Sequence, residues 1–381
     1  MNQNIYLDYA ASTPVDEDVL KAMLPYFTEK FYNPSAIYLS AKAVKDDLKN
    51  ARKQIAFLLG AKSEEIIFTA GGSEANNLAI HGVMKQFPDK HIITSDLEHD
   101  SVLLPIKEYD YSLAKVKADG VIDLASIQSL ITDNTVLITL MVANNEIGTI
   151  QPVKQLSRLV ADIRADRIKN KNSVPLYVMA DGCQATNYLD LHVSQLGVDL
   201  LTLNGSKIYG PKQSGILYLR HGVKILPIII GGGQEFNLRS GTENMAGNIG
   251  FATALNKAIT IKKEEAIRLK KLQNDFIRLI NQELPEVLVN GSLKFRLPNN
   301  VHLTFPGLDN ERLLFELDNR GIMASAGSAC SAANLKPSHV LSAIGLLDND
   351  IRSSIRLTFG RSTTWPMLEI TIKKIVDIIK K

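Results

Sequence analysis

Cysteine is nearly absent from this chain: Cys183 and Cys330 are the only two. Two are too few for a disulfide framework, and they lack the C-x-x-C spacing of a zinc or redox site, so no metal centre is read from them. Cys330 therefore has to be explained as a single thiol. An excess of charge of one sign is also missing. Lys and Arg number 43 against 40 Asp and Glu, giving a net charge of +3, so no strongly basic face is expected and nucleic acid is not implied as a partner. Long hydrophobic runs are lacking too. The longest, near "ILPIIIGGG", is far too short to span a bilayer, and "MNQNIYLDYA" has no basic segment followed by an apolar stretch. A cytoplasmic location without membrane attachment is expected. No internal repeat, low-complexity tract or Pro/Gly/Ser linker interrupts the chain, so domain limits must come from the pattern of elements. The 381 residues, 45% of them hydrophobic, suit two or so domains.

Short β-rich runs alternate with longer segments of helical period. "EIIFTA" precedes "SEANNLAIHGVMKQF"; "HIITS" follows; "TVLITLMVA" precedes "PVKQLSRLVADIRADRIK"; then come "PLYVMA", "VDLLTLN" and "GILYLR". Strand–helix alternation implies an α/β fold with a largely parallel sheet. A long amphipathic helix, roughly Ile249 to Leu284, leads toward a second region. There "VHLTFPG", a helix over "NERLLFELDNRG", the segment around Cys330, a helix at "PSHVLSAIGL", the strand "SIRLTF" and a terminal helix read as a compact α+β domain.

In open α/β sheets ligands sit beyond the carboxyl ends of the strands. After "EIIFTA" comes Gly71-Gly72-Ser73 opening a helix, which offers backbone N–H groups and the positive end of a dipole to a phosphate; a tight turn with Ser73 as a plain cap is the alternative. After "HIITSDLE" comes His99, and after "TLMVAN" comes Asn145. A lone histidine can equally be structural. Asp181 and Gln184 follow "PLYVMA", and a strand-end aspartate needs donors, a cation or a capping role. Lys207 stands in "GSKIYGPK" just past "VDLLTLN", where a solvated surface lysine is the alternative. As a set these residues fit pyridoxal phosphate: lysine for a Schiff base, aspartate for the pyridinium nitrogen, helix start for the 5′-phosphate.

Cys330 stands in "ASAGSACSAANLKPSH", with nothing bulky beside it until Leu335. A buried structural cysteine would sit among large apolar residues, which this stretch lacks. Gly327 and its small neighbours are expected to give the backbone freedom.

With those residues in hand, the chain resembles the cysteine desulfurases of the NifS and IscS type, in the aminotransferase class V group of pyridoxal-phosphate enzymes. The marks are "YLDYAASTPV", "NPSA", "EIIFTAGGSEANNLAI", "LEHDSVL", "NNEIGTIQPV", "KIYGPK", "GGGQEFNLRSGTEN", "GSACSA" and "SSIRLTFGR", in family order from end to end. The resemblance implies fold type I, with an N-terminal arm over 1–15 joining a small domain, a large cofactor-binding domain over 16–255, and a small C-terminal domain over 256–381 that carries a Cys330 loop. It implies a Schiff base at Lys207, ring-nitrogen pairing at Asp181, a contact from Gln184 to the phenolic oxygen, and His99 stacked on the ring and moving protons. Gly72, Ser73, Asn204 and Ser206 would hold the phosphate, Thr242 would reach it from the partner subunit of a homodimer, and Asn145 would touch the cofactor and substrate. Arg356, helped by Asn33, would grip the substrate carboxylate with its planar fork.

Cys330 would then take sulfur from L-cysteine as a persulfide, leave alanine, and pass the sulfur to acceptor proteins such as iron–sulfur scaffolds or tRNA-thiolation enzymes. "GSAC" resembles the long-loop subgroup, which implies direct hand-off to several acceptors. Three departures stand out: Asn204 and Ser206 in "NGSK" replace a usual serine and histidine, "GGSE" replaces Gly-Ala-Thr-Glu, and "ADGCQ" places Cys183 where a threonine is usual. Cys183 is expected to be a packed thiol. Rival readings are another class V enzyme, such as a selenocysteine lyase or an aminotransferase, a cysteine hydrolase pairing Cys330 with His339 or His99, and a sulfur-relay homologue without catalysis.

Overall fold

A computed structural model of the chain describes residues 4–327 and 337–380. The strands, in chain order, are β1 (Ile5–Tyr6), β2 (Ile66–Thr69), β3 (His91–Thr94), β4 (Asp110–Leu113), β5 (Thr135–Thr139), β6 (Tyr177–Asp181), β7 (Leu200–Asn204), β8 (Gly215–Leu219), β9 (Leu288–Val289), β10 (Asn300–Thr304), β11 (Ile322–Met323) and β12 (Ser354–Thr358). Seven of them form one sheet in the order β2-β8-β7-β6-β5-β3-β4.

That sheet is buried on both faces, which is why its strands read as near-continuous apolar runs rather than alternating ones. Ile66 and Phe68 of β2 and Leu201 and Leu203 of β7 enter one core, and Ile67 and Leu200 enter the core on the opposite face. β4 to β7 run parallel with β3 as expected, but β8 is antiparallel to both β7 and β2. The cause is the short connection from Asn204 to Gly215, which has no room for a crossover helix. The chain turns straight back there, and Lys207 lies in the turn.

A second core collects the rest. Ile5 and Leu7 pack with Val301, Leu303, Ile355, Leu357 and Phe359. β1 pairs with β11 in parallel, and β12-β10-β9 form a separate antiparallel sheet. The long helix runs Met245–Glu283, four residues earlier at its start than its sequence pattern indicates. Its first half, including Phe251 and Leu255, belongs to the large core, and Leu269, Phe276 and Ile280 belong to the small one. The helices Glu17–Met23 and Leu39–Leu59, for which the sequence reading has no assignment, pack on its first half.

Leu203 is fully buried one residue before the end of β7, so its side chain supports the strand that leads to Asn204 and Lys207. Leu203→Ala should cost about 2–5 kcal/mol through lost burial and an unfilled cavity. A urea titration reads this as a lower midpoint, and an unchanged midpoint would contradict the packing described.

Candidate active site

Residues beyond the carboxyl ends of β2, β3, β5, β6 and β7 line a cavity of about 240 Å³. Gly72, Ser73, His99, Asn145, Asp181, Gln184, Asn204, Lys207 and Arg356 all belong to its wall. Ser206, Asn33 and Thr242 do not. Ser206 stands behind Asn204, Asn33 is exposed and accepts the Ser35 N–H at 2.9 Å, and Thr242 lines another cavity with Glu235 and Arg239. Cys330 lies outside the described residues.

Gly71, with φ of 129°, makes the turn from β2 into the helix Gly72–Gln86, and no side chain caps that helix. Ser73 is its second residue and not its cap, so the first-turn N–H groups stay available to an anion. Glycine is required at position 72, because a Cβ there would stand 2.9 Å from Cys183 Sγ and 3.5 Å from Asn204 Nδ2. Asn204 Oδ1 accepts both the Ser206 N–H and the Ser206 hydroxyl at 3.1 Å, which turns its Nδ2 donor toward the helix start. Ser206 thus orients the Asn204 amide. Gly205 permits the tight turn, since a Cβ there would fall 2.1 Å from Ser214 Oγ. Lys207 comes out of that turn pointing inward, and its Nζ donates to the Ala11 carbonyl at 2.5 Å. A solvated surface lysine does not describe it.

Asp181 ends β6 with both carboxylate oxygens engaged. Oδ1 accepts the Cys183 N–H at 2.9 Å and Oδ2 accepts Asn76 Nδ2 at 2.8 Å. Asn76, fully buried, gives its other amide hydrogen to Ser101 Oγ at 3.0 Å. Ser101 in turn meets His99 Nδ1 through its hydroxyl at 2.9 Å and its N–H at 3.1 Å. Because Nδ1 accepts, the hydrogen-bond network assigns the proton of neutral His99 to Nε2. Gln184 Nε2 donates to the Ala10 carbonyl at 3.0 Å, bringing the N-terminal arm over the cavity. Cys183 also lines the cavity, but burial and the nearby Asp181 push its thiol well above the ordinary value, which leaves it protonated.

Arg356 is 1% exposed, which rules out an open surface arginine. Its Nη2 donates to Asp8 Oδ1 at 2.6 Å and its Nη1 to the Asn145 carbonyl at 2.9 Å, and Nε has no partner among the described residues. Asn144 sets this turn by accepting the N–H groups of Glu146 and Ile147 on its Oδ1. His339, the possible hydrolase partner, spends its Nε2 on the Glu98 carbonyl at 2.9 Å. Asn76, Ser101 and Asp8 escaped the sequence reading. Asn76 sits one helical turn after Gly72, and that spacing is the signal that could have found it.

The donor set fits pyridoxal phosphate: an uncapped helix start for the phosphate, a carboxylate held for a ring nitrogen and an inward amine. Among the described residues no cluster of His, Cys, Asp and Glu could hold a metal ion.

Beside His99, Glu98 is buried, with Oε1 accepting the Met141 N–H at 2.5 Å and Oε2 unpartnered among the described residues. Burial raises its carboxyl from 4.5 to about 8, against the lowering effect of the Met141 N–H. The folded protein therefore holds a proton on Glu98 that the unfolded chain releases, and this group's contribution to stability falls as pH rises from 4.5 to about 8. Glu98→Gln keeps an acceptor for Met141 and cannot ionise. Its stability relative to the parent should increase across that window, and a pH-independent difference between the two unfolding midpoints would refute the assignment.

A profile of the aminotransferase class-V family matches residues 5–367. The cysteine desulfurase IscS of Dictyoglomus turgidum is 41% identical over 388 aligned positions, covering 100% of this chain and 96% of that protein. The IscS of Methanosarcina thermophila is 39% identical, covering 100% and 93%. Among solved structures, a NifS-like protein superposes with a TM-score of 0.91 at 31% identity, covering 99% of this chain and 100% of the other. A structure described as SspA in complex with cysteine gives a TM-score of 0.79 at 34% identity, covering 93% and 98%. With its sheet ending in an inward lysine, a fixed aspartate and an uncapped helix, the chain belongs to the aminotransferase class-V family and, within it, to the pyridoxal-phosphate-dependent cysteine desulfurases.

Proposed function

We propose that this protein takes sulfur from L-cysteine, leaves L-alanine, and holds the sulfur as a persulfide on Cys330 for transfer to acceptor proteins of iron–sulfur cluster assembly or of tRNA and cofactor thiolation. The observation that carries the reading is the convergence of Lys207, Asp181, His99 and Arg356 on one cavity.

The bound cofactor supplies an electron sink for the substrate's α-carbon. Lys207 is the amine that attaches it. Asp181 keeps the ring nitrogen charged, with Asn76 and the Cys183 N–H holding the carboxylate in place. Gly72, Ser73 and Asn204 receive the phosphate, with Ser206 behind Asn204, and Gln184 and Asn145 complete the wall. Arg356 binds the substrate carboxylate on the side left open by Asp8 and the Asn145 carbonyl. His99 gives and takes a proton at Nε2.

Cys330 contributes a thiolate. Its sulfur bonds to the substrate sulfur, the substrate's carbon–sulfur bond breaks, and a proton takes the sulfur's place on carbon, so that cysteine and a thiol become alanine and a persulfide. Support comes from the small-residue segment around Cys330 and from the protonated state of Cys183, the other cysteine. The chain is divided into an arm over 1–15, a cofactor domain over 16–255 and a small domain over 256–381. Two copies form a homodimer in which Thr242 serves the site of the other copy. Among the described residues no helix is long and apolar enough to cross a membrane, and the protein is assigned to the cytoplasm.

Cys330→Ser separates binding from sulfur transfer. A hydroxyl is scarcely ionised near neutral pH, whereas a thiol needs only a modest shift to react. The holoenzyme's absorbance change on adding L-cysteine should persist, and alanine release should fall by orders of magnitude. Alanine formed at close to the parent rate would remove Cys330 from the reaction.

A further inference from the structure

The strands β10 and β12 each divide their side chains between two faces. Val301 and Leu303 on one and Ile355 and Leu357 on the other enter the small core, so Asn300, His302 and Thr304 share the opposite face with Ser354, Arg356 and Thr358. All six are buried. A polar group taken out of water is costly unless it is hydrogen-bonded, and most of these are met. Asn300 Nδ2 donates to the Glu146 carbonyl at 2.7 Å, the Thr304 and Ser354 hydroxyls meet at 2.7 Å, and Arg356 has Asp8 and the Asn145 carbonyl. On this face two nitrogens are without a partner among the described residues, His302 Nε2 and Arg356 Nε.

They belong to residues that stand opposite each other, since His302 is the register partner of Arg356. Arg356 spends its backbone N–H and carbonyl on Ser325, at 2.6 Å and 3.3 Å, and the His302 carbonyl accepts the Asn290 N–H at 3.0 Å. Both residues thus turn their backbone bonds away from each other. That is the non-hydrogen-bonded pair of an antiparallel ladder, in which the Cα atoms are about 4.5 Å apart and the side chains come closest.

The state of the imidazole follows from its other nitrogen. Nδ1 lies 3.0 Å from Asn290 Nδ2, which also donates to Thr304 Oγ1 at 2.7 Å, so the hydrogen-bond network makes Nδ1 an acceptor and assigns the ring's proton to Nε2. Burial, reinforced by the charges of Arg296 and Arg356, lowers the imidazole from 6.5 to about 3, which leaves it neutral at neutral pH. A neutral ring with Nδ1 taken and Nε2 protonated offers no acceptor. Arg356 therefore has a close, ring-sized neighbour that cannot take its remaining N–H groups. His302 is not in the wall of the cavity and Arg356 is, so the imidazole acts on a ligand there only through the arginine.

We propose that His302 is a positioning residue for Arg356 that sets the preference of the cavity for a ligand carrying a carboxylate. It holds the place beside the guanidinium without competing for it, so the N–H groups not spent on Asp8 and the Asn145 carbonyl are kept for the substrate. An acceptor in the same place would bind Arg356 at the substrate's expense, and an empty place would let the side chain turn away. This rests on Arg356 being the group that receives the substrate carboxylate.

The test uses the holoenzyme and sets L-cysteine against cysteamine, the same amine and thiol without the carboxylate. It reads KM and kcat for alanine release from L-cysteine, and the half-point of the absorbance change on titration with cysteamine. His302→Glu, an acceptor-only side chain that still meets the Asn290 donor, should raise KM about ten-fold, the worth of one hydrogen bond to a charged group. His302→Ala should raise it as well. His302→Phe restores a ring without an acceptor, so its KM should return to the parent value even though the lost bond to Asn290 lowers its urea midpoint. The cysteamine half-point should stay at the parent value in all three. A residue that only supports the sheet would give another order, with His302→Phe impaired and His302→Glu spared. A parent-like KM in His302→Ala or in a folded His302→Glu would overturn the proposal, as would a raised KM in His302→Phe, a loss confined to kcat, or a cysteamine half-point that moves in step with KM. If His302→Glu does not fold, His302→Ala against His302→Phe decides alone. Arg356→Lys is the control: an unchanged KM there would overturn the role of Arg356 and this inference with it, whereas a raised KM in Arg356→Lys beside a parent KM in His302→Ala would overturn the inference alone.

Discussion

Removing a guanidinium from water costs several kcal/mol unless its charge and its N–H groups are met, and Arg356 is almost fully removed. It and its partners come from three distant parts of the chain. Asp8 is on the N-terminal arm, the Asn145 carbonyl is on the turn after β5, and Arg356 itself is on β12 of the small sheet. Removing Asp8 would leave a buried cation without its counter-ion, at a cost of about 3–5 kcal/mol for such pairs. The arm, the strand ends of the large sheet and the small sheet are therefore held in register by one ion. The backbone bonds of Leu7 and Ala10 to Thr358 lie immediately beside it and share its alignment.

The other charged groups of the cavity are held by neutral ones. Asp181 and His99 do not touch in the hydrogen-bond network; the Asn76 amide and the Ser101 hydroxyl connect them. An amide that donates both hydrogens fixes the direction of every bond after it. The aspartate stays an acceptor, and the imidazole is left with its proton on Nε2. Direct pairing of Asp181 with His99 would instead have stabilised an imidazolium and tied the carboxylate to it.

Much of this was legible because a sheet buried on both faces writes each strand as an apolar run, and the polar residues just past each run are then conspicuous. Gly72, Ser73, His99, Asn145, Asp181, Gln184 and Lys207 were readable in this way, Asn204 and Arg356 only from the family resemblance, and all nine line one cavity. The antiparallel β8 was not, since its run "GILYL" looks the same in either direction and only the short connection from Asn204 tells them apart. Edge strand β4 escaped for the opposite reason: with Asp110 and Ser112 in it, partly exposed, it has no apolar run to see. Asn76, Ser101 and Asp8 act on other side chains and not at the end of a strand, so their roles depend on tertiary contacts that no local pattern encodes. Asn33 shows the reverse, a residue named by resemblance that stands exposed and away from the cavity.

The helix Met245–Glu283 belongs to both cores, with Phe251 in one and Phe276 in the other, and no break in its backbone hydrogen bonding lies between them. A shared continuous helix acts as a strut. Hinging one core against the other would require bending it in the middle, where each turn lost gives up several backbone hydrogen bonds at once. Adjustments of the protein to its substrates accordingly fall to loops and side chains rather than to opening and closing of the two bodies. Loss of either core would also leave half of one helix with its apolar stripe in water, so the two should melt together as a single mechanical unit.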